Sequence, residues 1–167
     1  PAEMERGSWY YEMSELGYNY RVTDIQCALG LSQLGRVHQY AQRRRDIVAT
    51  YNEAFAGIPH LKTPVVTRPE DIDQICWHLY TTLIDFEELG LTRTAYMAKL
   101  REAGVGSQVL YIPVHLQPYY RETFGYGAGK CPNAESYYRH ALSFPLFPSM
   151  TDSDVGRVIE TVTTIHS

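Results

Sequence analysis

A two-layer α/β sandwich is the fold class that this sequence predicts, on three observations. A strong helical period runs from Thr23 to Phe55, β-rich runs alternate with helical segments after it, and neither a repeat nor a low-complexity linker interrupts the 167 residues. A chain of this length buries roughly 70% of the surface that its unfolded form exposes, so it needs no disulfide or metal staple.

The elements follow in order. Residues 1–22 read as an aromatic loop leading into the first helix, with Trp9-Tyr10-Tyr11 and Gly17-Tyr18-Asn19-Tyr20-Arg21. Thr23 and Gln26 have capping-box spacing, and Asp24 suits the first turn of a helix. Ile25, Ala28, Leu29, Leu31 and Leu34, then Val37, Tyr40, Ala41, Ile47, Val48, Tyr51 and Phe55, carry the helical period onward. Gly30 and Gly35 weaken it and predict a bend near Gly35, while Gly57 and Pro59 close it. Residues 60–74 read as a surface loop, and residues 77–84 (WHLYTTLI) as a strand. Thr92 caps a short helix with Tyr96, Met97 and Leu100, closed by Gly104. Val105–Ile112 reads as a second strand, Leu116–Phe124 as a short helix, and Gly125–Gly129 as a turn. Pro132–Leu142 reads as a helix and Ser143–Phe147 as an irregular or edge strand, because Pro145 withholds a ladder donor. Thr151 starts the last helix, with Val155, Val158, Ile159 and Val162 on one face.

Composition excludes several function classes. A net charge of −4 gives no electrostatic reason to seek nucleic acid. Apolar runs fall short of the ~20 residues of a membrane helix, and the polar, aromatic start does not read as a secretory signal. Cys27, Cys76 and Cys131 are odd in number and widely spaced, so they read as buried free thiols of a cytoplasmic protein.

Most candidate chemistry fails on context. Walker and Rossmann glycine patterns are absent, and Gly125–Gly129 follows no strand. His78, His115 and His140 lack metal-helix spacing, and Ser107, Ser136 and Ser143 lie in no nucleophile elbow. Arg43-Arg44-Arg45 point about 100° apart on a helix and read as a solvated face. Two segments stay open. Tyr18-Asn19-Tyr20-Arg21 places an amide and a guanidinium, natural phosphate donors, before a helix start, or else is a helix-entry turn packed by tyrosines. Residues 111–120 (YIPVHLQPYY) place His115 among phenols at a strand end, either lining a ligand site or as a satisfied core histidine.

Residues 15–34 (ELGYNYRVTDIQCALGLSQL), 105–120 (VGSQVLYIPVHLQPYY) and 141–159 (ALSFPLFPSMTDSDVGRVI) together resemble, in the same order, blocks of the DegT/StrS-type sugar nucleotide aminotransferases. Residues 9–34 are especially similar to the members that aminate a UDP-linked 4-keto-6-deoxy-N-acetylhexosamine in the pseudaminic acid pathway. The resemblance implies an α/β (α+β) fold. It is the small C-terminal domain of a fold-type I pyridoxal 5′-phosphate (PLP) transferase, with a long N-terminal helix and a short, mainly antiparallel sheet covered by helices. Residues 23–167 would form that domain. It implies PLP as cofactor, glutamate as amino donor, a cytoplasmic homodimer with shared active sites, and a role in surface polysaccharide biosynthesis. It places Asn19 at the partner subunit's PLP phosphate, Arg21, Tyr111 and His115 near the substrate, and Tyr18 and Tyr20 beside them.

The family's Schiff-base lysine belongs to a large N-terminal domain whose motifs this sequence lacks. Lys62, Lys99 and Lys130, the three lysines present, have no such context. The resemblance therefore implies a C-terminal part that does not catalyse alone and whose partner is the missing large domain. The alternatives are a non-catalytic module binding a sugar nucleotide or a protein, and a complementing subunit of a split aminotransferase.

Overall fold

The computed structural model describes residues 15–18 and 20–167. Two compact units divide at Arg36/Val37.

In the first unit, helix α1 spans Asp24–Leu34. The Gln26 amide donates to Thr23 Oγ1 at 3.4 Å, and the Thr23 amide donates to Gln26 Oε1 at 2.9 Å. The capping box that the sequence predicts is thus formed. The predicted single helix is interrupted at Gly35 and Arg36, where the sequence marks its weak point. At Gly35 and Arg36 the chain tightens, the Arg36 amide turning back to the Gln33 carbonyl at 3.0 Å. Glycine is about 1 kcal/mol poorer than alanine in a helix, so the break falls where helix is least stable.

The second unit contains helix α2 (Val37–Phe55), strands β1 (Leu61–Lys62), β2 (Tyr80–Ile84) and β3 (Ala141–Phe144), and helices α3 (Arg93–Glu102), α4 (Pro118–Phe124), α5 (Pro132–His140) and α6 (Asp152–Ile165). The sheet is antiparallel in the order β1-β2-β3. Central β2 alternates as a half-buried strand should, with Tyr80, Thr82 and Ile84 buried. Its register pairs Tyr80 with Phe144 and Thr82 with Leu142.

The core lies between this sheet and its helices. Ile47, Val48, Tyr51 and Phe55 of α2, Tyr96 and Leu100 of α3, and Val155, Val158 and Val162 of α6 join it. The Tyr51 and Tyr80 ring centroids are 4.9 Å apart, and Tyr51 stacks on Phe55 at 5.5 Å. Each buried phenol finds an acceptor: Tyr80 donates to Asn52 Oδ1 at 2.8 Å, and Tyr51 to the Pro145 carbonyl at 3.1 Å. Burial pushes both phenols well above their ordinary pKa. Thr92 and Thr151 cap α3 and α6 as the sequence predicts, and Gly104 follows α3 with φ of +77°, where a side chain would be strained.

Several boundaries differ from the sequence reading, for identifiable reasons. Val105–Ile112 is not a strand but a single bridge, Gln108 to Ser143. Extension of that ladder fails on both sides. Pro145 has no N–H, and the Ala141 amide is already committed to the Tyr137 carbonyl at the end of α5. β3 therefore begins at Ala141, shortening the predicted helix to His140, and ends before Pro145 rather than at Phe147. β2 starts at Tyr80 rather than Trp77, where its pairing with Phe144 starts. The loop at 60–74 holds β1 and a 3₁₀ turn at Pro69–Gln74. Helix α4 starts at Pro118, preceded by a 3₁₀ turn at Val114–Leu116. All three cysteines are free but exposed, against the expectation of burial.

The Arg43–Arg45 run is not a merely solvated face. Arg43 Nη2 donates to the Met150 carbonyl at 2.7 Å and pairs with Asp152 at 2.8 Å. Arg44 Nη1 donates to the Trp77 carbonyl at 2.8 Å, and Arg45 Nη2 to Gln42 Oε1 at 2.8 Å. Because the side chains fan about 100° apart, Arg43 and Arg44 fasten α2 to two different loops.

At the C-terminus, His166 Nδ1–H donates to the Pro59 carbonyl at 2.9 Å, leaving Nε2 to accept from the Tyr96 hydroxyl at 3.0 Å. Burial, with help from His60 nearby and against the Pro59 bond, lowers the His166 pKa below its ordinary 6.5. The unfolded chain therefore binds the proton first. This contribution to stability is full above about pH 6.5 and is lost as pH falls through the lower folded value. Urea midpoints should fall between about pH 7.5 and 5, and His166→Gln should flatten that part of the slope. Leu100→Ala, at a fully buried position, should cost about 2–5 kcal/mol in the same assay.

Candidate functional site

The predicted site residues fall in both units. In the first, Tyr18 and Tyr20 are 85% and 83% exposed and meet edge to face at 6.0 Å. Arg21 is exposed ahead of the α1 cap, and Asn19 lies outside the described residues.

In the second unit the segment from Tyr111 carries the remaining candidates. Tyr111 is 84% exposed, whereas His115 is 8% exposed. His115 sits in the 3₁₀ turn, and its Nε2 meets Glu135 Oε1 at 2.8 Å. Glu135, in the first turn of α5, also accepts the Gly129 amide at 2.9 Å and the Cys131 amide at 3.3 Å. Those bonds, Gly129's first and His115's second, hold its carboxyl below the usual carboxylate range. The pair thus ties the residues before α4 to the turn after it, and fixes the imidazole by a carboxylate. Of the two readings open for His115, the geometry is that of a buried histidine with its bond satisfied.

Between these ties stands an aromatic row that the sequence reading missed. Tyr120 stacks on Phe124 at 6.0 Å, and Phe124 on Tyr126 at 5.5 Å. Lys130 Nζ lies 4.5 Å from the Tyr126 ring centre. Tyr120 and Phe124, four apart on one helix, were the available signal. Gly125, with φ of +67°, ends α4 and lets the chain turn back to bring Tyr126 onto the row.

A separate cleft of about 630 Å³ opens beside β3, with Val105, Phe144, Leu146, Phe147 and Met150 among its apolar walls. Arg44, His78 and Arg157 also line it. Asp154 is there too, but its carboxylate is engaged by the Thr151 amide and hydroxyl at 2.9 and 2.7 Å. Among the described residues no group of three metal-ligating side chains gathers, and no helix is long and apolar enough to cross a membrane.

The described residues do not by themselves fit PLP. A lysine that joins an aldehyde needs desolvation or a cationic neighbour to shed its proton. Lys62, Lys99 and Lys130 are all exposed.

The second unit is thus a small antiparallel sheet covered by helices, and in sequence it follows the capped helix α1 and the Tyr/Arg segment. The profile of the DegT/DnrJ/EryC1/StrS aminotransferase family matches residues 2–163, and the chain belongs to that family. The spore coat polysaccharide biosynthesis protein SpsC of Bacillus subtilis is 45% identical over 157 residues, 93% of this chain and 40% of the relative. The Streptococcus pneumoniae protein Spr1654, described as a sugar aminotransferase and solved in its PLP form, is 31% identical with a TM-score of 0.81, over 95% of this chain and 39% of that one. PseC of Helicobacter pylori, an aminotransferase involved in the biosynthesis of pseudoaminic acid, shares the fold at 24% identity and a TM-score of 0.80, over 96% of this chain and 42% of its own. The predicted fold class is the observed one, and it matches part of fold-type I aminotransferase structures. The chain spans about 40% of the length of the curated relatives it matches.

Glu135→Gln keeps the shape of the side chain and removes its charge. Amide exchange at Gly129 and Cys131 should quicken while core amides such as Leu100 stay protected, as read by hydrogen exchange. In the unaltered chain the contribution of Glu135 is full above its ordinary 4.5 and fades as pH falls through the lower folded value.

Proposed function

We propose that this chain is the C-terminal, small-domain part of a PLP-dependent sugar nucleotide aminotransferase and that it acts only with the remainder of that fold. The observation that carries this reading is the family match over residues 2–163, combined with three lysines that are all exposed. The complete enzyme transfers an amino group from glutamate to a UDP-linked 4-keto-6-deoxy-N-acetylhexosamine, in the cytoplasm, as a homodimer. The wording of residues 9–34 supports that acceptor, of the kind used in the pseudaminic acid pathway. Polysaccharide biosynthesis, the role in the description of SpsC, supports the wider setting.

In this reading Asn19 contacts the cofactor phosphate, since an amide N–H is a ready donor to phosphate oxygens. Arg21 neutralises charge on the sugar nucleotide or the donor, with Tyr18 and Tyr20 packing beside it. Tyr111 offers an exposed phenol to the substrate. His115 lies at the substrate side but acts as a positioning residue: its bond to Glu135 holds the segment that presents Tyr111. No step of the reaction is assigned to the chain on its own.

The test exchanges residues 1–167 for the matching region of Spr1654. The exchanged enzyme should aminate the UDP-4-keto sugar from glutamate, and the isolated chain should not. An inactive exchanged enzyme that retains PLP would contradict the substrate assignment, and activity of the isolated chain would contradict the need for the remainder. Asn19→Ala in the exchanged enzyme should weaken PLP retention about tenfold, the worth of a hydrogen bond to a charged group. Unchanged retention would remove Asn19 from the cofactor site.

A further inference from the structure

The cleft beside β3 is walled entirely by residues of the second unit. Its volume of about 630 Å³ falls within the roughly 300–1,000 Å³ of small-molecule sites. Val105 and Phe144 pave it with apolar surface continuous with the core, and Phe147, 47% exposed, adds an aromatic wall.

Set into these walls are two guanidinium groups that the protein leaves without a carboxylate partner. Among the described residues neither Arg44 nor Arg157 takes part in an ion pair. Arg44 donates one N–H to the Trp77 carbonyl at 2.8 Å, while its Nε is buried with no acceptor. The indole N–H of Trp77, one residue before His78 of the cleft wall, is buried with no acceptor as well. Buried donors in that state are rare, because each has given up its hydrogen bonds to water. Arg157 lies across Gly104, its Nη1 3.4 Å from the place a Cβ would take there. The acidic side chain in the cleft is Asp154. The Thr151 hydroxyl, then the Thr151 amide, hold its carboxyl below the ordinary range, and Arg157 is a lesser cause. Two guanidinium groups against one carboxylate leave an excess of positive charge.

Two physical points select the occupant. A guanidinium fork fits the paired oxygens of a carboxylate, and a monoanion matches a single excess charge better than a phosphate dianion does. The apolar walls gain nothing from a bare inorganic ion, whereas an apolar body buried against them is stabilised in proportion to its area.

We propose that this cleft binds an organic carboxylate with an apolar body. The carboxylate engages Arg44 and Arg157, and the body lies against Val105, Phe144 and Phe147. Tyr111 and His115 do not line the cleft, so the proposal stands without the reaction assigned above.

The probe is 4-phenylbutyrate, with 4-phenylbutanamide as its uncharged match and inorganic phosphate as the bare anion. Calorimetry on the 167-residue chain reads affinity, and amide shifts in nitrogen-15 spectra read the place. The carboxylate should saturate one site, shift Gly104, Gly106, Gln108 and Phe144, and bind at least about tenfold more tightly than the amide. Arg157, exposed at the surface, should fold equally well as Gln, and Arg157→Gln should weaken the carboxylate about tenfold while leaving the amide unchanged. At Gly106 a Cβ would meet nothing within 4 Å, so Gly106→Leu should keep the melting midpoint and weaken both organic probes. Equal affinity for carboxylate and amide would overturn the proposal, because the cleft would then be merely apolar. Displacement of the carboxylate by an equal concentration of phosphate would overturn it too, leaving a plain anion site. Shifts confined to other residues, or no saturation by about 10 mM, would do the same.

Discussion

The contact among Tyr51, Phe55 and Tyr80 is the point on which the second unit depends. It joins the longest helix to the central strand by ring packing, while the two hydroxyls reach Asn52 and the Pro145 carbonyl. Tyr51 therefore fixes α2 to the sheet and also to the chain leaving β3. The register of β2 against β3 follows from the same contact, because Tyr80 is paired with Phe144 and Phe55 packs on Phe144 at 5.8 Å. Rings of this size gain about 0.5–1.5 kcal/mol per pair beyond burial, and their orientation is specific. A one-residue slip of β2 would send Tyr80 to the opposite face and lose both the rings and the hydrogen bonds.

On that scaffold the chain separates two kinds of surface. The core of the second unit is satisfied within itself. The second unit also carries features that a self-sufficient domain has little use for: the aromatic row of Tyr120, Phe124 and Tyr126, and the cleft beside β3. Large exposed apolar patches mark interaction surfaces. The family supplies the reason, since the chain corresponds to about 40% of its relatives. The exposure of Lys62, Lys99 and Lys130 carries the same meaning in chemical terms. A well-packed core here coexists with three lysines that are all exposed.

Much of the fold was legible because local signals agreed with tertiary packing. Thr23, Thr92 and Thr151 announced three helix starts, and the valines of α6 announced its buried face. The misreadings arose where a backbone donor was missing or already committed. Val105–Ile112 has strand composition, but Pro145 and the Ala141 amide deny it a ladder, and no property of residues 105–112 themselves reveals that. The arginine run misled because its partners, Met150, Asp152 and the Trp77 carbonyl, are distant in sequence. Of the site, His115 was visible as a candidate, but its partner Glu135, twenty residues on, was not. The spacing of Tyr120 and Phe124 was readable, and Tyr126 joined them only through the left-handed Gly125.

The second unit packs its own core, and the exposed lysines lead us to expect that the chain does not link the cofactor by itself. Borohydride reduction of the purified chain with PLP, followed by peptide mass mapping, tests it most directly. No stoichiometric adduct is expected, only sparse labelling spread over the exposed Lys62, Lys99 and Lys130. One lysine modified to completion at equimolar PLP would show that the chain builds its own cofactor site, and would contradict its dependence on the remainder of the fold.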